Sequence, residues 1–306
     1  MPVLWLYNLL ILIFFTKMKT IKTINNTIRI LFVYILVLSL IALMPAICKG
    51  QYYENKITPK EKVFVKKMPS KKKLWIFVMA GQSNMEGRGK IEPQDTLINK
   101  RIIYLDENQN WCYAKEPLHT YSKLYDLDCG KAFAETILEN VPRNVTIGLI
   151  PCAVGGTSVE EWLNDDKRRG VCLYSNFKNK VEIAQKSGKI KGILWHQGES
   201  DSSHKERRES YTKNLEKLIN LFRKDIGNDK LPFVMGEICI FKDLEPEKKE
   251  NRKSINTSLH AVNRDFTGTG IIYTQDLNHR GDILHFETLS VREMGIRFAK
   301  MMIDLL

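Results

Sequence analysis

Five short apolar runs punctuate this chain, at residues 74–80, 145–152, 190–196, 231–236 and 271–274. Between and after them lie stretches of helical period, at 130–140, 175–186, 205–225 and 254–263, with a last one opening at 281–287 and continuing to 306. A run of that kind with no polar alternation is the pattern of a strand buried on both faces. Strands alternating with helices five times predict a parallel sheet, because parallel pairing needs crossovers and the crossovers cover both faces. The fold class is therefore α/β, with a central parallel sheet of about five strands. A further short strand is expected at 102–105, on the rim, inside a long irregular region from 87 to 128. The aromatic residues Tyr104, Trp111, Tyr113, Tyr121 and Tyr125 of that region are read chiefly as packing, with a platform for a sugar ring as the alternative. Residues 242–253, rich in charge, are read as a loop.

The first half-hundred residues do not belong to this pattern. Residues 28–47 form an apolar run long enough to span a bilayer, and Lys19 and Lys22 flank it on the amino-terminal side. Residues 1–50 are read as a signal peptide or an amino-terminal membrane anchor, which makes the protein exported, secreted or periplasmic, with attachment to the membrane only through this segment. Residues 51–73 carry a cluster of lysines with Pro59 and Pro69 and are read as a linker, leaving 74–306 as the folded domain. The formal charge of +12 draws heavily on those lysines. Basic and aromatic residues do not interleave in a recognition pattern, so nucleic-acid binding is discounted. A hydrophobic content of 43% with 27% charged residues is ordinary for a globular chain.

Among the six cysteines, Cys112 with Cys129, or Cys152 with Cys172, are the pairs an exported domain would offer for disulfides. No Cys-x-x-Cys motif or Cys/His cluster has metal-ligand spacing, so neither a metal nor any other cofactor is expected.

Chemistry-bearing residues gather at the exits of the apolar runs, which is where open α/β sheets keep their sites. The first run empties into Gly81-Gln82-Ser83-Asn84, placing a serine hydroxyl and its own backbone N–H at the same sheet edge. The second ends in Gly155-Gly156, whose small residues let backbone N–H groups approach a ligand. The third ends in Gln197-Gly198-Glu199, which offers an amide donor and a carboxylate. After the fifth comes Asp282-Ile283-Leu284-His285. That spacing lets the carboxylate bond the imidazole Nδ1 and turn Nε2 toward a nucleophile. Trp162 is read as a pocket wall.

Taken in order, the stretches Met79-Ala80-Gly81-Gln82-Ser83-Asn84-Met85, Pro151 to Trp162, Leu194 to Asp201 and Asp282-Ile283-Leu284-His285 resemble the four blocks of the sialate O-acetylesterase and acetylxylan esterase group of the SGNH hydrolase superfamily. The resemblance runs from about residue 72 to the end. It implies a flavodoxin-like three-layer α/β/α fold and a serine esterase that removes acetyl groups from carbohydrates, sialic acid or xylan-type glycans, through an acyl-serine intermediate. It assigns Ser83 as nucleophile, His285 as base and Asp282 as its partner. The Ser83 and Gly155 N–H groups and the Gln197 amide would form the oxyanion hole, with Gly156 and Glu199 in support. Gln197 stands where many relatives in the superfamily have Asn. Two alternatives stay open at this point: a catalytically silent glycan-binding module of the same fold, and a hydrolase of lipid or thioester substrates. An acetylated glycan is the one partner the sequence names, and oligomeric state is not legible in it.

Overall fold

The computed structural model describes residues 61–121 and 126–306. The apolar segment 1–50, residues 51–60 and Tyr125 lie outside the described residues. Strand β1 (Leu74–Gly81) runs into a single turn, α1 (Ser83–Glu86), and then to β2 (Ile102–Leu105) and β3 (Trp111–Tyr113). Helix α2 (Gly130–Glu139), strand β4 (Thr146–Pro151), the short α3 (Val159–Leu163) and a small hairpin of β5 (Lys167–Arg168) and β6 (Val171–Cys172) follow. Next come α4 (Leu173–Ser187), β7 (Lys189–His196), the turn α5 (Glu199–Ser202) and the long α6 (Lys205–Ile226). The chain closes with β8 (Phe233–Gly236), α7 (Pro246–Asp265), β9 (Thr269–Ile272) and α8 (Thr288–Leu305).

The main sheet has seven strands in the order β3-β2-β4-β1-β7-β8-β9, all parallel except the antiparallel edge pair β2–β3. The count exceeds the expected five because β2 pairs in parallel with β4, and β3 adds an edge only three residues long. Neither is flanked by a helical crossover, so the alternation that marks the other strands is missing there.

β1 sits at the centre because it is apolar on both faces. Phe77 and Met79 enter a core layer with Phe133, Ile137, Met294 and Phe298 from α2 and α8. Leu74, Ile76 and Val78 enter the opposite layer with Trp162, Trp195, Tyr211 and Phe222. Each such side chain taken fully out of water contributes ~1.5–3 kcal/mol. Trp162 is therefore core and not a pocket wall: it packs edge-on against Trp195 with ring centres 5.7 Å apart.

Other expectations change with the packing. The charged stretch 242–253 is mostly helix, since Pro246 starts α7 and its lysines and glutamates occupy the solvent face while Arg252, Ile255, Leu259 and Val262 are buried. The last helix begins at Thr288, so residues 281–287 form a loop, closed by a bridge between His279 and Phe286. Within the stretch read as a linker, Val65 N–H donates to Trp111 O at 2.9 Å and Tyr113 N–H to Val63 O at 2.8 Å, so residues 63–65 run along β3. The five cysteines among the described residues are free thiols: neither Cys112 with Cys129 nor Cys152 with Cys172 is bridged. No helix among the described residues is long and apolar enough to cross a membrane.

From β1 the chain builds toward β4 on one side and, after β4, toward β7 on the other. The strand order thus reverses at β1, and the crevice beyond the carboxyl ends of β1, β4 and β7 is the position at which such a sheet accepts a ligand.

Candidate active site

Gly81 ends β1 with φ of +134°, and a Cβ there would run into the His196 carbonyl of β7. Glycine is what lets the chain turn sharply enough to bring Ser83 to the first position of α1. The Ser83 N–H, at a helix start, has no partner within the helix and is free to face the crevice. Ser83 is 6% exposed, and its Oγ lies 3.0 Å from His285 Nε2. His285 Nδ1 lies 2.7 Å from Asp282 Oδ2.

The loop conformation of 279–287, not a helix face, sets up this pair. Asp282 Oδ1 accepts the backbone N–H of Leu284 at 3.0 Å and of His285 at 2.8 Å, while Ile283 takes a left-handed φ of +57°. The carboxylate therefore folds its own turn and orients the imidazole with its other oxygen. Partial burial alone would raise the Asp282 pKa; the hydrogen bonds from the His285 ring and backbone and from Leu284 N–H outweigh it and hold the group well below the usual carboxylate range. Arg280 adds a cation 3.2 Å from Asp282 Oδ2.

Asn84, next to Ser83, joins the site although residue-type reasoning passed over it. Its Nδ2 donates to Glu199 Oε1 at 2.6 Å and to Leu284 O at 3.2 Å, and its Oδ1 accepts Phe286 N–H at 3.2 Å. It clamps the histidine loop onto the serine turn on both sides of His285. Glu199 reaches that loop through Asn84. The buried Arg252 of α7 donates to Cys239 O at 2.6 Å and to Ile283 O at 3.4 Å. The only advance signal for Asn84 is its place directly after Ser83; for Arg252 there is none.

The structure brings Gly155 and Gln197 to the same edge but engages the donors expected to face an oxyanion. Gly155 N–H donates to Glu86 Oε2 at 2.8 Å. Glu86 is fully buried, with Arg88 Nη2 at 2.6 Å and Arg169 Nη1 at 3.2 Å from the same oxygen. A Cβ on Gly155 would fall 2.6 Å from that carboxylate, so the close approach requires glycine. Gln197 Nε2 donates to Gln82 Oε1 at 3.1 Å, to Thr157 O at 3.0 Å and to Asp201. Gly156 turns the chain at φ of +79°. Behind this loop, Ala153 N–H donates to His119 Nε2 at 3.2 Å, and Asp128 holds the other ring nitrogen at 2.8 Å. Accepting at Nε2 fixes His119 as the Nδ1–H tautomer, a buried pair resembling Asp282–His285 in form but serving as a strut.

A serine hydroxyl, an imidazole that can take its proton, and a carboxylate that fixes the tautomer form an arrangement able to perform acyl transfer without a cofactor. Among the described residues no group of three or more His, Cys, Asp or Glu side chains is placed to hold a metal ion.

Comparison with known proteins agrees. Residues 73–304 match the family described as carbohydrate esterase, sialic acid-specific acetylesterase. A curated relative from Arabidopsis thaliana, named as a probable carbohydrate esterase, is 31% identical over 249 residues, covering 74% of this chain and 88% of the relative. An X-ray structure of an Arabidopsis thaliana protein superposes with a TM-score of 0.66 at 28% identity, over 77% of this chain and 99% of the other. A carbohydrate acetylesterase from Xanthomonas citri shares the fold with a TM-score of 0.53 at 20% identity, over 74% of this chain and 54% of its own. With the family match running from the first residues of β1 almost to the end of α8, this chain belongs to the carbohydrate esterase family of sialic acid-specific acetylesterases.

Proposed function

We propose that the protein is a serine esterase that removes O-acetyl groups from glycans through an acyl-Ser83 intermediate. The observation that carries the reading is the continuous relay from Ser83 Oγ through His285 to Asp282. In the first half-reaction Ser83 Oγ attacks the acetyl carbonyl while His285 Nε2 takes the hydroxyl proton. The carbonyl electrons move to oxygen, and the Ser83 N–H is the donor free to meet that oxyanion. As the tetrahedral intermediate collapses, His285 returns the proton to the departing sugar oxygen. In the second half, water attacks the acetyl-serine, His285 takes its proton, and acetate leaves with Ser83 restored.

In this reading Gly155 and Gln197 shape the hole from behind, since Glu86 and Asp201 hold their donors. Gly156 and Glu199 support the loops that carry them. An intact relay argues against a silent binding module. The test is acetate release by the full-length protein from 4-nitrophenyl acetate, acetylated xylan and O-acetylated sialoglycan, with Ser83→Ala in parallel. Turnover that disappears in the variant supports the reading, and acetate release by Ser83→Ala at the wild-type rate sinks it.

Residues 1–50 are, in the same reading, the segment that directs the esterase out of the cytoplasm, and the support is the basic flank ahead of the apolar run 28–47. Mass spectrometry of the amino terminus of the exported protein distinguishes removal from retention, and a protein that stays in the cytoplasm with residues 1–50 attached overturns export.

A further inference from the structure

The turn that carries the relay also walls a second feature. Asp282 and Leu284 line a cavity of about 390 Å³ together with Glu199, Lys248, Asn251 and Arg252. That volume is within the range of small-molecule sites, about 300–1,000 Å³. The wall is chemically incomplete. Glu199 is 6% exposed; Asn84 satisfies its Oε1, yet its Oε2 has no hydrogen-bond partner among the described residues. A buried acceptor left unpaired costs ~1–3 kcal/mol, but this oxygen has almost no accessible surface, so the groups an occupant meets are the more exposed side chains of the wall. Opposite in charge, Arg252 is buried to the same degree, and Lys248 and Asn251 approach from the same helix α7, adding a cation and an amide. The carboxylates of Asp243, Glu245 and Asp282, the Lys248 cation and the Asn251 amide, set beside the aliphatic Leu284, supply acceptors and donors that complement a ring bearing hydroxyls on its edge and C–H groups on its face.

We propose that this cavity is a subsite for a sugar residue next to the acetylated one, so that the esterase works on oligosaccharides in preference to single sugars. The proposal rests on Ser83 being the nucleophile of an acetylesterase. Because Asp282–His285 bounds both places, a glycan lying across the exposed edge of that turn offers its acetyl group to Ser83 while its neighbouring ring meets the Lys248 and Asn251 side chains. The binding energy of the second ring then appears in kcat/KM for the linked substrate and not for a small ester.

The experiment compares kcat/KM of the full-length protein on O-acetylated sialic acid against the same sugar in O-acetylated sialyllactose, and on acetylated xylose against acetylated xylotetraose. 4-Nitrophenyl acetate is the reference that cannot reach the cavity. The wild type is expected to favour the linked substrate of at least one pair by about tenfold or more. Asn251→Ala, Lys248→Ala and the cavity-filling Asn251→Trp are expected to abolish that preference while leaving 4-nitrophenyl acetate turnover unchanged. Equal kcat/KM within both pairs, turnover of neither sugar pair, or a preference that survives Asn251→Trp overturns the subsite. Loss of 4-nitrophenyl acetate turnover in step with the sugars in all three variants also overturns it, because the residues would then be supporting the fold. A wild type with no Ser83-dependent turnover of 4-nitrophenyl acetate overturns the esterase reading and the subsite together, whereas intact turnover without the preference removes the subsite alone.

Discussion

Asn84 and Glu199, 115 residues apart in sequence, meet through a buried hydrogen bond of 2.6 Å beside the Ser83 turn and the loop that holds His285. The same amide also bonds Leu284 O, and its oxygen accepts Phe286 N–H, so both neighbours of His285 are fixed by one side chain.

Replacing Asn84 by Ala frees that loop and leaves Glu199 Oε1 without its donor. A displacement of about 1 Å at the base is enough for a ~10²-fold loss. The expected outcome is a fall of that order in kcat on 4-nitrophenyl acetate with KM little changed, and a kcat within a factor of two of wild type in a folded variant would count against the clamp.

Asp282→Asn removes the charge that stabilises the imidazolium and permits the wrong ring tautomer. By analogy with other serine triads kcat is expected to drop by ~10³–10⁴-fold, with circular dichroism unchanged. Since the hydrogen bonds at Asp282 hold it ionised well below the usual carboxylate range, the acid limb of the wild-type pH profile is not expected to report protonation of Asp282. The stability this depressed carboxylate contributes is present above the unfolded Asp value and is lost as pH falls through it toward the folded one.

Asp201 behaves in the opposite sense. Burial pushes its pKa up to about 7, against the hydrogen bond from Gln197 that favours its charged form. Unfolded aspartate titrates near ~3.9, so between about pH 4 and 7 the folded chain binds more protons than the unfolded one, and stability falls as pH rises through that window. In Asp201→Asn this component vanishes. The shift in urea midpoint between pH 4.5 and 7.5 should become more positive than in the wild type, and an identical pH dependence in the two proteins would show that Asp201 is not responsible.

Glu86 lies between Arg88, Arg169 and the Gly155 N–H. Glu86→Ala leaves a buried guanidinium unpaired and the 153–157 loop without its anchor, a change that costs ~3–5 kcal/mol for a buried pair. Arg169 keeps 30% of its side-chain surface exposed, which screens part of that cost. Thermal unfolding is the check: a melting temperature within a degree or two of wild type would mean the cluster contributes little.

Much of this site is legible in the sequence because each part sits where an apolar run stops. Ser83, Gly155 and Gln197 follow β1, β4 and β7 directly, and parallel strands place their carboxyl ends on one edge whatever their order. The Asp282–His285 pair is also legible, although a self-closing turn and not a helix brings its members together. What the sequence does not reveal is where the donors go. That Gly155 N–H meets Glu86 depends on two separate strand exits lying side by side, and that Arg252 supports Ile283 depends on how α7 rolls on the sheet. Local patterns carry no record of either. The short β2 and β3 are under-read for the related reason that pairing, not composition, makes them strands.

The residues at 63–65 that run along β3 give the sheet a guarded rim. β3 is the last strand on that side, and a bare edge offers its unpaired N–H and C=O groups to any other extended chain. A protein trimmed to begin at β1 would keep the whole Ser83–His285–Asp282 relay and yet expose that edge, so self-association, and not loss of that relay, is the first cost of cutting there.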